Sequence, residues 1–242
     1  MFEAVHCSGA VQQRMNQVDD QQRLANRTAD ESQADAAILG DDAEPQQTPT
    51  GKAVQDANGG PDIPHKIHQT GNSGYANYDD GSELFRADSG GKKRGTSNAS
   101  RSEAVISPDG GTANKTFSAD FKVDGASNAN IFQMKVSGGQ GPSLRVSIND
   151  DNEIVVHNAD GSPEAIGNVQ PGQKFNLAVT DNGDGTATVA TTDESGGSIG
   201  NTTVPADRGG SAGPSEEFRY GMYLQKGEDQ ASVAISDVNV TG

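Results

Sequence analysis

The sequence predicts an all-β fold made of two antiparallel sheets packed face to face. From about residue 63 onward, short runs alternate apolar and polar residues, the pattern of half-buried strands. Clusters of Gly, Asn, Asp and Pro punctuate those runs at regular intervals. No stretch after residue 60 carries a helical repeat.

Residues 1–62 are read as a disordered or marginally helical tail and linker. Gln, Asp, Ala and Asn dominate there, and Phe2 is the only aromatic before Tyr75. Such a segment buries too little apolar surface to offset the entropy of ordering it. Val11, Met15, Val18 and Leu24 give only a thin helical face; Pro45, Pro49 and Gly59-Gly60-Pro61 mark the linker.

Residues 63–242 are read as a single β domain. Phe117, Ala119, Phe121 and Val123 alternate with Thr116, Ser118, Asp120 and Lys122. Phe132, Met134 and Val136 alternate with Gln133 and Lys135, and Leu144, Val146 and Ile148 with Ser143, Arg145 and Ser147. Phe175, Leu177 and Val179 form another run; Phe218, Tyr220, Met222 and Leu224 alternate with Arg219, Gly221, Tyr223 and Gln225; Val233, Ile235, Val238 and Val240 close the chain. Turns are expected at 108–111, 149–152, 160–163, 171–172 and 181–185. Strands at this spacing suit a two-sheet antiparallel jelly-roll sandwich.

Composition narrows the function classes. The chain has 242 residues, a net charge of −16, 31% hydrophobic residues and no tryptophan. No apolar run approaches the roughly 20 residues of a membrane-spanning helix, so no membrane partner is expected. Strong acidity argues against nucleic acid, whose binding needs clustered Lys and Arg. It leaves room for a polyanion at a local basic cleft. Cys7 is the single cysteine, so no intrachain disulfide forms. The first residues lack the basic and apolar segments of a Sec signal. The chain either stays inside the cell or leaves by another route. A monomer without cofactor is expected.

The polar faces of the strands carry the candidate chemistry. Parity places Arg101 and Glu103, Gln133 and Lys135, Arg145, and Arg219, Gly221, Tyr223 and Gln225 outward. An ordinary solvated face would be richer in Thr, Ser and Glu. Gly221 reads as an open floor beside Tyr223. Other motifs have plainer readings. His157 reads as a surface histidine of the second sheet. His65 and His68, flanking Ile67, lack a third ligand for zinc. Tyr75 and Tyr78 read as core or sugar-stacking platforms. Asp181–Gly185 reads as a hairpin turn rather than a calcium loop. Lys92, Lys93 and Arg94 form a basic loop cluster.

Arg101-Ser102-Glu103, then Phe132-Gln133-Met134-Lys135, then Tyr220-Gly221-Met222-Tyr223-Leu224-Gln225 resemble the signature strands of alginate lyases with a β-jelly-roll (concanavalin-like) fold, and the related glucuronan-lyase type. The resemblance covers about residues 75–242. Val105 stands where the family usually has a second arginine, and Lys135 where it usually has a histidine that serves as base.

The resemblance implies β-elimination on an acidic, uronate-containing polysaccharide. Arg101 or Gln133 would bind the uronate carboxylate and stabilise the charge that builds there. Lys135 would add positive charge, and Tyr223 would protonate the leaving oxygen. Glu103, Arg145, Arg219 and Gln225 would bind substrate. One tyrosine can take the C5 proton and protonate O4 only when both lie on the same side of the sugar ring. With Lys135 in the histidine's place, a mannuronate or glucuronate polymer is therefore expected. The alternative is a glycan-binding or effector protein on a lyase-like scaffold, without catalysis. The polar N-terminus is similar to the export segments of type III secreted proteins, and the composition resembles harpin-type proteins, which implies secretion.

Overall fold

The computed structural model describes residues 53–56, 63–70, 72–78, 80–88, 100–124, 129–135, 141–206, 215–224 and 230–242. All fall in one compact unit, Asp42–Gly242. The tail reading of residues 1–52, the basic loop at 92–94, Val136 and Gln225 lie outside the described residues.

The described chain is all β. Its strands are β1 (Ala53–Asp56), β2 (Ile63–Thr70), β3 (Asn72–Asn77), β4 (Glu83–Asp88), β5 (Arg101–Ile106), β6 (Thr116–Asp124), β7 (Ala129–Lys135) and β8 (Pro142–Ile148). There follow β9 (Glu153–His157), β10 (Pro163–Asn168), β11 (Lys174–Asp181), β12 (Thr186–Asp193), β13 (Ser198–Pro205), β14 (Glu217–Leu224) and β15 (Gln230–Thr241). β1 lies before residue 63, so the sheets take in a strand from the stretch that composition assigns to the linker.

Two antiparallel sheets form the sandwich. The first runs β10-β9-β8-β7-β14-β5-β2, and the second β3-β4-β15-β6-β11-β12-β13. β1 links them, pairing parallel with β15 and antiparallel with β2.

Alternation builds the core as expected. In β6 the burial repeats with period two, and Phe117, Ala119 and Phe121 are fully buried. Phe117 packs against Phe132 at 4.8 Å, Tyr220 at 5.4 Å and Phe218 at 6.0 Å between ring centroids, joining β6 of one sheet to β7 and β14 of the other. Each such aromatic contributes about 1.5–3 kcal/mol by leaving water.

The turns follow their residues. Asn149 Oδ1 accepts from the backbone amides of Asp151 and Glu153, closing the β8–β9 hairpin. Asp181–Gly185 connects β11 to β12, with Asn182 N donating to Thr186 O. In β15 the most deeply buried positions are odd before residue 236 (Ala231, Val233, Ile235) and even after it (Val240). A bulge between Ser236 and Asn239, with Asp237 at φ 54°, absorbs the extra residue.

Candidate functional site on the outer face of the first sheet

Register brings the polar side chains of β2, β5, β14, β7 and β8 onto one face. Arg101 lies opposite Tyr223 and Thr70; Glu103 lies opposite Gly221 and His68. Arg219 lies opposite Gln133 on β7, and Gln133 opposite Arg145 on β8. Arg101, Glu103, Gln133, Lys135, Arg145, Arg219 and Tyr223 therefore share the face that strand parity predicts.

The burial on this face departs from an ordinary solvated surface. Glu103 is 3% exposed, Gln133 5% and Arg219 9%, although all point away from the core. These side chains cover one another. Gln133 Nε2 donates a hydrogen bond to Glu103 Oε1, and Arg101 Nη1 stands 3.7 Å from Glu103 Oε2. The Arg101 guanidinium lies over the Tyr223 ring, 4.6 Å from its centroid, a cation–π arrangement. Arg219 is held by Glu217, with Nη2 and Nε donating to Oε2 at 2.6 and 3.0 Å. Among the described residues, Glu103 Oε2 and Arg101 Nε are buried without a hydrogen-bond partner.

Gly221 makes the central contact possible. Gln133 and Glu103 meet diagonally across β14, and no side chain at 221 stands between them. A bulge separates Tyr220 from Tyr223 in the pairing with β7, and Gly221 has φ 133°. A Cβ there would lie 2.4 Å from Ser102 O and 3.0 Å from Phe85 Cδ1. The glycine thus serves the bulge and the close packing of β14 on β5 and β4, a stricter requirement than an open floor for a ligand.

The electrostatics are those of a crowded cationic cluster. Burial pushes the Glu103 carboxyl above its usual range, against the pull of Arg101, Arg219, the Gln133 hydrogen bond and Lys135. Burial also lowers Lys135, and Arg219 and Arg101 add to that while Glu217 and Glu103 oppose it. For His68, burial comes first, followed by the positive charges of Arg101, Arg219 and Lys135; all hold the imidazole below its ordinary 6.5. His68 is therefore largely neutral at pH 7 and able to accept a proton.

His68 is the site residue that sequence reasoning missed. With His65 it looked like half of an incomplete zinc site. On β2 the alternation sends His65 inward, 5% exposed, and His68 outward beside Glu103. The signal was present in the period-two spacing, but β2's place next to β5 is not written locally. No group able to hold a metal ion occurs among the described residues. His157 belongs to the first sheet rather than the second, opposite Arg145, with Nε2 3.0 Å from Ser147 Oγ. Tyr78 is buried, and Tyr75 is half-buried with its hydroxyl on Glu83. Gln225 lies outside the described residues.

No protein-family profile matches the chain, and no curated protein matches it. Among solved structures, it is similar to alginate lyase AlgAT5 of polysaccharide lyase family 7 (18% identity, TM-score 0.49, covering 71% of this chain and 82% of that one). It is also similar to the family 18 polysaccharide lyase aly-SJ02 (17%, 0.45, 72% and 93%). A botulinum neurotoxin type C structure, described as entering cells through two ganglioside molecules, is similar too (12%, 0.48, 79% and 47%).

Proposed function

We propose that the outer face of the first sheet binds an acidic, uronate-containing polysaccharide and cleaves it by β-elimination. One observation carries this reading: Tyr223 is clasped by Arg101 beside the buried Glu103–Gln133 pair, with a neutral His68 on the strand beyond.

Arg101, Arg219 and Lys135 supply positive charge for the uronate carboxylate on a protein of net charge −16. As the C5 proton leaves, negative charge spreads onto that carboxylate, and cations already in place stabilise it without reorganisation. Glu103 and Gln133 orient this end of the site, Glu103 by its approach to Arg101. The C5 proton passes to a base, its electron pair forms the C4–C5 double bond, and the C4–O4 bond breaks. The Tyr223 hydroxyl protonates the departing O4. Arg145, two strands from Tyr223, extends the cationic face along the polymer.

His68 bears on the polymer. A mannuronate or glucuronate substrate was expected because Lys135 replaces a histidine, leaving Tyr223 to act alone on one side of the ring. A neutral imidazole on β2 supplies a second proton acceptor, so substrates with the proton and O4 on opposite sides also have a base. Lys135 starts from 10.5 and His68 from 6.5 before both are lowered. His68 is thus the better base near neutrality, and Lys135 the better cation.

The test is incubation with polymannuronate, polyguluronate and glucuronan while following ultraviolet absorbance of the unsaturated product. Product formation that Tyr223→Phe abolishes supports the lyase. Saturable binding with no product favours a glycan-binding protein, a reading consistent with Arg219 and Gln133 being already engaged by Glu217 and Glu103. Neither binding nor product for any of these polymers rejects both.

A further inference from the structure

Glu83 is a carboxyl group buried between the sheets, on β4, with 3% exposure. Three side chains converge on it. Tyr75 Oη donates to Oε1 at 2.6 Å, His65 Nε2 lies 3.1 Å from the same oxygen, and Tyr220 Oη donates to Oε2 at 2.8 Å. These partners come from β3, β2 and β14, so one carboxyl group ties the second sheet to two strands of the first. Burial, and then the Glu83 charge, raise both tyrosines above their usual value, so both stay protonated as donors.

The two strands of the first sheet held in this way carry the proton-handling side chains. His65 precedes His68 on β2, which ends its sheet apart from the short pairing with β1. Tyr220 sits on β14 where the bulge begins, and Tyr223 is where pairing with β7 resumes. Bulges and terminal strands are where register is least constrained by neighbours. A hydrophobic core alone needs no carboxyl group here, and burying one is costly unless it is well bonded.

We propose that Glu83 is a positioning residue for the lyase site: by holding His65 and Tyr220 from beneath, it sets where His68 and Tyr223 emerge on the outer face. The proposal rests on the reading of Tyr223 and His68 as the proton-handling pair.

The test compares Tyr220→Phe with Tyr75→Phe. Each removes one hydroxyl from the same carboxyl group, but only Tyr220 lies on a site strand. Tyr220→Phe should lower kcat about tenfold or more with KM within about twofold, as small misplacements of reacting groups do. Tyr75→Phe should leave kcat within about twofold. Equal losses of thermal stability with kcat preserved in both variants would overturn the proposal, as would equal losses of kcat. A second readout is independent of turnover: the NMR titration of the His68 imidazole in Glu83→Gln. A changed midpoint supports positioning, and an unchanged midpoint in a folded variant overturns it. Wild-type protein that forms no unsaturated product would reject the lyase reading, while the titration still decides whether Glu83 sets the position of His68.

Discussion

The outer faces of the two sheets have the same parity and opposite character. On the second sheet, the outward residues of β6, β11 and β12 are Thr116, Ser118, Asp120 and Lys122, Asn176, Ala178 and Thr180, and Thr186, Thr188, Ala190 and Thr192. They are half-exposed and alternate cleanly with buried neighbours. On the first sheet the alternation in exposure is lost, and β7 and β14 are buried at almost every position. Polar groups in the first case stay half-exposed and meet only in small surface contacts such as Lys174–Asp120–Asn176. In the second they are packed against each other, with Glu103, Gln133 and Arg219 almost fully covered. Burial of polar residues on an outward face is what singles out the first sheet as the candidate site.

The comparison can be broken most severely at Tyr223. If Tyr223 is the proton donor of the proposed elimination, Tyr223→Phe removes it while keeping the ring beneath Arg101, and product formation should fall about 10²–10⁴-fold. Steady-state turnover on the best of the three uronate polymers measures it. Arg101→Ala comes next. It strips the cation from both Tyr223 and Glu103, and kcat/KM should fall about 10²-fold. Glu103, buried and left with less positive charge, should also lower the melting temperature, which calorimetry reads.

His68→Gln sharpens the comparison through pH. The base must be neutral, and the native environment favours the neutral form. Native kcat/KM should therefore rise with pH along an acid limb whose midpoint lies below 6.5, the free imidazole value, and level off above it. The variant should lose that acid limb and about 10–100-fold in rate on substrates that need a separate base. An identical acid limb in the variant would assign it to another group.

The smallest effects belong to the second sheet. Asp120 is pushed up by burial, but the hydrogen bonds from Lys174 at 2.8 Å and Asn176 at 2.9 Å outweigh this and bring it below its ordinary 3.8. A carboxylate depressed in the folded state contributes stability above its unfolded value and loses it as pH falls through the folded one. Because the pair is partly exposed, Asp120→Asn should cost about 0.5 kcal/mol at pH 7. The deficit should start to shrink as pH falls below 3.8 and vanish once pH is below the lowered folded value, and urea unfolding across that range measures it. Activity should be unchanged.

Different parts of the molecule were legible to different degrees. β6, β8, β11 and β14 declare themselves because each carries an unbroken apolar alternation, and the 181–185 hairpin because its Asn, Gly and Asp residues suit a tight turn. Parity alone also placed Arg101, Gln133, Lys135 and Tyr223 outward. His68 was not legible as a site residue, since its relation to Glu103 exists only through β2 pairing with β5. Nor was Gly221's main role, which depends on Ser102 and Phe85 approaching its backbone. The Glu83 cluster joins Glu83 to Tyr220, 137 positions away, and has no local pattern at all.

The sequence by itself determined the sandwich and the outward direction of its polar side chains, because side-chain period and turn chemistry are local properties of the chain. Only the tertiary structure decided which strands became neighbours. That choice buried Glu103 beneath Arg101, laid Arg101 over Tyr223, brought His68 to the same face, and joined β2 and β14 through Glu83. Strand order and register are set by the global packing of the two sheets, and no short window of residues carries that information.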